Sequence, residues 1–197
     1  MNVSNQVNVN VSGKAVETAT SLRKLYFIRA GFSIIWVILV LLLAKTNTTI
    51  ATVLFIIYPA WDAIATYMDV RATSTDTLKI PQYVNGFISI IATISVFMAL
   101  KTGIADAILV FGIWAISTGL IQLILGVRRR REIGGQWPMI LSGGQSMLAG
   151  AVFIVTAHKP DQGINSLVGY AAFGAFYFLF SAFRLSKPVI KKVSSVI

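Results

Sequence analysis

The sequence predicts an all-α polytopic transmembrane bundle of six helices, built as three helical hairpins repeated in parallel, and three observations carry that expectation. The first is composition: 56% of the 197 residues are hydrophobic and 12% charged, where a soluble domain carries about 25% charged residues. The second is six apolar stretches long enough, at about 1.5 Å rise per residue, to approach or cross a hydrocarbon core of about 30 Å. The third is a recurrence of glycine, lysine and arginine at nearly constant spacing.

The stretches are Leu25 to Ala44, Thr49 to Met68, Val84 to Leu100, Ala107 to Val127, Trp137 to Ala157 and Gln162 to Phe183. The last four hold no charge, the first holds only Arg29 and the second only Asp62. They are continuous runs without the two-residue alternation of a barrel strand, so helices are the fold that satisfies their backbone in lipid. The first run follows Arg23 and Lys24 but exceeds a signal-peptide core and has no small-residue cleavage site, so it reads as retained. Residues 1–22 read as a polar cytoplasmic tail, with 1–20 weakly ordered, 23–186 as the membrane domain and 187–197 as a basic cytoplasmic tail.

Lysine and arginine set the expected orientation. One face receives Lys14, Arg23, Lys24, Arg71, Lys79, Arg128 to Arg131, Arg184, Lys187, Lys191 and Lys192, whereas the other receives only Lys45, Lys101 and Lys159. The positive-inside rule then puts both termini in the cytoplasm and the chain in the cytoplasmic membrane. The net charge of +10 is thus topogenic, and no nucleic-acid partner is expected. The run Arg128, Arg129, Arg130, Arg131 serves topology first and is also a candidate anionic-lipid contact.

The repeat is read from Gly31, followed at 14 and 40 residues by Lys45 and Arg71; from Gly86, followed at 15 and 42 by Lys101 and Arg128; and from Gly144, followed at 15 and 40 by Lys159 and Arg184. Each unit is a helix, a short external turn bearing a lysine, and a second helix closed by an arginine. The external turns, at Lys45 to Asn47, Lys101 to Gly103 and His158 to Asp161, leave little room for an extracellular domain. The longest internal connection is expected over Asp69 to Tyr83, with Pro81 near its end.

Arg29 and Asp62 are the charges inside spans, roughly 8 Å and roughly 13 Å from the same edge. Intramembrane charges face a partner or a cavity, so three readings stand: a pair fixing the first hairpin, part of an ion or proton path, or an arginine snorkelling to the interface. Asn85, Gln122 and Gln145 are polar within or near spans and suit interhelical hydrogen bonds or a water-lined path. The positions corresponding to Asp62 in the later hairpins are Gly119 and Gly174, so the acid belongs to one hairpin alone. Pro59 should bend the second span near Asp62. Ser142, Ser146 and Gly150, with Ala107, Ala115 and Gly119, form small-residue stripes for close helix packing, and Trp137 before Pro138 reads as an interfacial anchor.

Enzymatic chemistry finds little support. There is no cysteine and one histidine, His158, so neither thiolate nor multi-histidine metal sites arise, and no phosphate loop with a lysine is present. No cofactor is expected.

RAGFSII at Arg29 to Ile35, VNGFISIIATI at Val84 to Ile94, WPMILSGGQSMLAGAVFI at Trp137 to Ile154 and YAAFGAFYFLFSAFR at Tyr170 to Arg184 resemble the small six-span membrane proteins of the HdeD-like, or DUF308 short-repeat, family. The resemblance covers roughly residues 24 to 187 and implies a cytoplasmic-membrane protein, in some members linked to acid stress, with no catalytic residues to carry over. Asp62 and Pro59 depart from the small residues usual in the hairpin. The leading expectation is a non-enzymatic membrane protein acting by association, with itself or another membrane protein, in envelope or acid-stress physiology; the alternative is a small transporter or channel with a polar path near Asp62.

Overall fold

A computed structural model describes residues 3–73, 79–160 and 162–185, with side chains from Gly13 onward. The six helices are α1 (Val3–Leu43), α2 (Thr48–Ala72), α3 (Ile80–Thr102), α4 (Ile104–Glu132), α5 (Trp137–Thr156) and α6 (Val168–Arg184), the last entered through one 3-10 turn, Ile164–Leu167. All six, α6 with its preceding turn, are long and apolar enough to cross a membrane. The chain is a multi-pass membrane protein of all-α architecture.

The N-terminal stretch departs from the expected weakly ordered tail. α1 runs unbroken over 41 residues, about 60 Å at helical rise and so about twice the hydrocarbon thickness. Its physical reason is a helical stripe of Ala15, Ala19, Leu22 and Tyr26, spaced four, three and four apart, of which Ala19, Leu22 and Tyr26 are buried. The polar residues between them masked that stripe.

The connection between α2 and α3 is also shorter than expected, because α2 extends to Ala72 and α3 starts at Ile80. Pro81 falls in the first turn of α3, where a missing N–H costs no helical bond. A single residue, Gly103, separates α3 from α4. The α4–α5 reversal uses Gly134 and Gly135 at φ 68° and 66°, a left-handed conformation costing other residues about 1–2 kcal/mol. Residues 187–197, with Lys187, Lys191 and Lys192, and Asp161 lie outside the described residues.

The helices close a ring in chain order, each packed chiefly on its sequence neighbours, with α6 returning to α1. The tightest of these contacts is α4 against α5. There Gly112 faces Gly150 and Gly119 faces Gly143, and a Cβ on any of the four would stand 2.5–2.8 Å from the backbone oxygen of its opposite glycine. Ser146 Oγ adds a hydrogen bond to the Ala115 carbonyl at 2.9 Å. Small residues at seven-residue spacing thus let two membrane helices meet backbone to backbone.

Two apolar clusters occupy the ring. Toward the Lys45, Lys101 and Lys159 turns lies an aromatic layer centred on Trp36, Phe55, Tyr58, Phe111, Trp114 and Phe153. Its rings meet edge to face, Tyr58 against Trp114 at 6.0 Å for one, a geometry that adds to their burial. Near the opposite end Leu22, Tyr26, Met139 and Ala182 form a smaller cluster.

Candidate intramembrane polar site

Between these clusters is a cavity of about 90 Å³ whose walls include Arg29, Asp62, Asp69, Asn85, Gln122 and Arg129. Its ionic wall is built on α2, where Asp62, Thr66, Asp69 and Thr73 fall at i, i+4, i+7 and i+11 and therefore share one helix face. The neighbouring helices answer that stripe residue by residue.

Asp62 receives hydrogen bonds from three residues on two helices. Arg29 on α1 donates to Oδ1 at 2.9 Å, and Asn85 and Ser89 on α3 donate to Oδ2 at 2.9 and 2.7 Å. The Trp114 indole of α4 donates to Ser89 Oγ at 3.0 Å. Thr66 Oγ1 accepts from Asn85 at 2.7 Å and from Arg29 at 3.4 Å. The Arg29 guanidinium also lies 5.3 Å from the Phe178 ring centre on α6, a cation–π contact. Pro59, one turn before Asp62, cannot bond the Phe55 carbonyl, and one residue earlier the Leu54 carbonyl accepts the Trp36 indole at 2.8 Å.

Two turns further along α2, toward the basic end, is a second ion pair that sequence reasoning missed. Arg129 of α4 donates to Asp69 at 2.7 and 2.9 Å and to Thr73 Oγ1 at 3.1 Å. With its amide oxygen and nitrogen interchanged, the orientation its neighbours favour, Gln82 of α3 accepts from Arg129 at 3.3 Å and donates to the Lys79 carbonyl at 3.2 Å. A charge buried to this extent persists only when paired and hydrogen-bonded.

The expected basic run therefore divides. Arg129 is buried and leaves the set of candidate lipid contacts, because a carboxylate inside the ring holds it. Arg130 lies 4.0 Å from the ring centre of Trp137, which is 48% exposed. Arg131 is exposed and Arg128 half-buried. Of the four intramembrane candidates, Arg29, Asp62 and Asn85 are in direct contact, while Gln122 lies across the cavity and donates instead to the Met139 carbonyl at 3.4 Å. Asp69 falls at the start of the connection expected over Asp69 to Tyr83, yet the spacing of Asp62, Thr66, Asp69 and Thr73 is that of a single polar helix face. Of the repeat counterparts of Asp62, Gly174 lines the cavity and Gly119 packs on α5.

The facing wall comes from α4, α5 and the link before α5. It carries Gln122, Gln136, Ser142 and Gln145, all uncharged. Tyr26 Oη donates to Gln136 Oε1 at 3.3 Å. Among the described residues no group of three or more His, Cys, Asp or Glu is placed to hold a metal.

Residues 84–155 match the family model described as a short repeat of unknown function, DUF308. No curated protein and no solved structure matches the chain. The matched segment covers most of α3, all of α4 and nearly all of α5, so it contains the glycine-mated contacts and the four residues named on the uncharged wall. Asp62, Asp69 and Arg29 lie outside it, and Arg129 within it. The ionic wall is thus assembled across the boundary of the DUF308 segment.

Proposed function

We propose that the protein is a non-enzymatic carrier or channel that moves a small polar solute or ion across the cytoplasmic membrane through this cavity. The observation behind the reading is a polar chamber of about 90 Å³ inside a ring of apolar helices, one wall of which is an ionic network on Asp62. Cavities lined by paired charges at membrane depth mark substrate or ion paths. The basic residues orient both termini, and the Arg129 end of the cavity, toward the cytoplasm. Three parallel hairpins, α1–α2, α3–α4 and α5–α6, surround the path as repeats. The HdeD resemblance supports a role for such a path in envelope or acid-stress physiology.

Association with a protein partner, the other reading, draws no specific support from the fold. The outward faces carry Ile35, Leu42, Leu148 and Val155, which acyl chains satisfy as well as a protein surface does. The deciding experiment is flux of protons, small ions and small neutral solutes into liposomes holding the purified chain, wild type against Asp62→Asn. Flux above empty liposomes that falls in the folded, equally incorporated variant supports conduction. No flux of any class above empty liposomes overturns it.

A further inference from the structure

The two walls of the cavity differ in what they leave unbonded. On the ionic wall each arginine is matched by a carboxylate and each carboxylate oxygen has a donor within 2.9 Å. On the facing wall the polar groups are largely unspent. Ser142 and Gln145 make no hydrogen bond among the described residues, and the contact of Gln122 is long at 3.4 Å. Gln136 is 0% exposed and its Nε2 has no partner. More than about 90% of buried polar groups in native proteins are bonded to protein or water, so a cluster of unspent amide and hydroxyl groups around one cavity calls for an occupant.

Resting on the conduction reading above, we infer that Ser142 and Gln145, backed by Gln122 and Gln136, form the recognition wall for a small uncharged solute bearing both donors and acceptors, of the urea and glycerol class. Amides and hydroxyls offer both kinds of hydrogen bond and carry no net charge, so they match a neutral solute that can reverse its bonding along the wall. An ion would gain nothing from Arg29 or Arg129 without breaking a pair already made, and breaking such a pair leaves a buried charge uncompensated. The volume agrees: about 90 Å³ is several times the roughly 10–15 Å³ that a single water needs, so a few waters or one small solute can enter.

Urea and guanidinium are near-isosteres that differ in charge, so tracer flux of the two into proteoliposomes of the full chain tests the inference. Wild type is expected to pass urea above empty liposomes and to exclude guanidinium. Ser142→Ala and Gln145→Leu should each lower urea flux about fivefold, the effect of one lost hydrogen bond. Gln145→Asn, which keeps the amide, should retain most of it. Each variant is compared at equal incorporation and with an unchanged size-exclusion profile. Guanidinium or proton flux without urea flux overturns this inference and leaves conduction standing. Raised osmotic water permeability without urea flux makes the chamber a water site only and also overturns it. Urea flux unchanged in both Ser142→Ala and Gln145→Leu removes the wall from recognition, and absence of every flux removes both readings.

Discussion

Arg129 Nη2 lies 2.7 Å from Asp69 Oδ1, joining the basic end of α4 to the last turns of α2 across α3. The pair is buried, with side chains 8% and 10% accessible, and Thr73 and Gln82 complete its bonding. Removing one partner of such a pair strands the other charge. Asp69→Ala is therefore expected to destabilise the protein by about 3–5 kcal/mol, whereas Asp69→Ala with Arg129→Met should recover most of that loss. Equilibrium unfolding in detergent micelles on the four members of this cycle measures it; additive single losses would show that the two groups are uncoupled.

Three separate side chains reach the Asp62 carboxylate, and every one is a donor. Arg29, Asn85 and Ser89 all point N–H or O–H groups at its two oxygens. Asp62→Asn keeps the size of the side chain but turns one oxygen into an NH2 facing a donor. The expected cost is about 2–3 kcal/mol, the range for lost hydrogen bonds to a charged group. Ser89→Ala should cost less, about 1 kcal/mol, since it leaves the ion pair intact and frees one indole N–H. A reversed order of the two in thermal unfolding would contradict the network.

The α4–α5 contact gives a sharper contrast. A methyl at Gly119 or Gly150 meets a carbonyl oxygen of the facing helix at 2.8 or 2.5 Å, too close without helix displacement. Gly119→Ala and Gly150→Ala should each cost about 1–3 kcal/mol by overpacking. Gly144→Ala, on the same helix as Gly150 but with open space around its Cβ, should instead be neutral or stabilising by up to about 1 kcal/mol from helix propensity. Melting temperatures in one detergent distinguish the sites directly.

Hydropathy made the spans legible because lipid demands long apolar helices whatever they pack against, and the DUF308 likeness was visible in VNGFISIIATI and WPMILSGGQSMLAGAVFI, which fall inside the matched residues 84–155. Arg29 and Asp62 stood out because charge in an apolar run is conspicuous. Asp69 and Arg129 did not, because charges at the ends of spans ordinarily serve the interface, and only tertiary packing turns them inward. The glycine register was half visible: Gly119 and Gly150 were noted within stripes of four, but the mating of Gly112 with Gly150 and of Gly119 with Gly143 depends on which helix becomes the neighbour. Ring order is a long-range property, and no local pattern encodes it.

The same ring order decides from which side the cavity is reached. The sequence has no cysteine, so one introduced thiol reports without background. Ser142 lies five residues into α5, about 8 Å along the helix, and Gln136, outside the helices, already lines the cavity at that end. In the other direction Phe111, Trp114 and Phe153 close the ring. A membrane-impermeant maleimide should therefore label Ser142→Cys from the side that labels Arg131→Cys, and more slowly, while Lys45→Cys reacts from the opposite side. If both termini are cytoplasmic, the orientation that the positive-inside rule predicts, that first side is the interior of the cell, and inverted vesicles will label Ser142→Cys where intact cells do not. Labelling of Ser142→Cys together with Lys45→Cys would mean that the aromatic layer is the open end and that the cavity faces the other way.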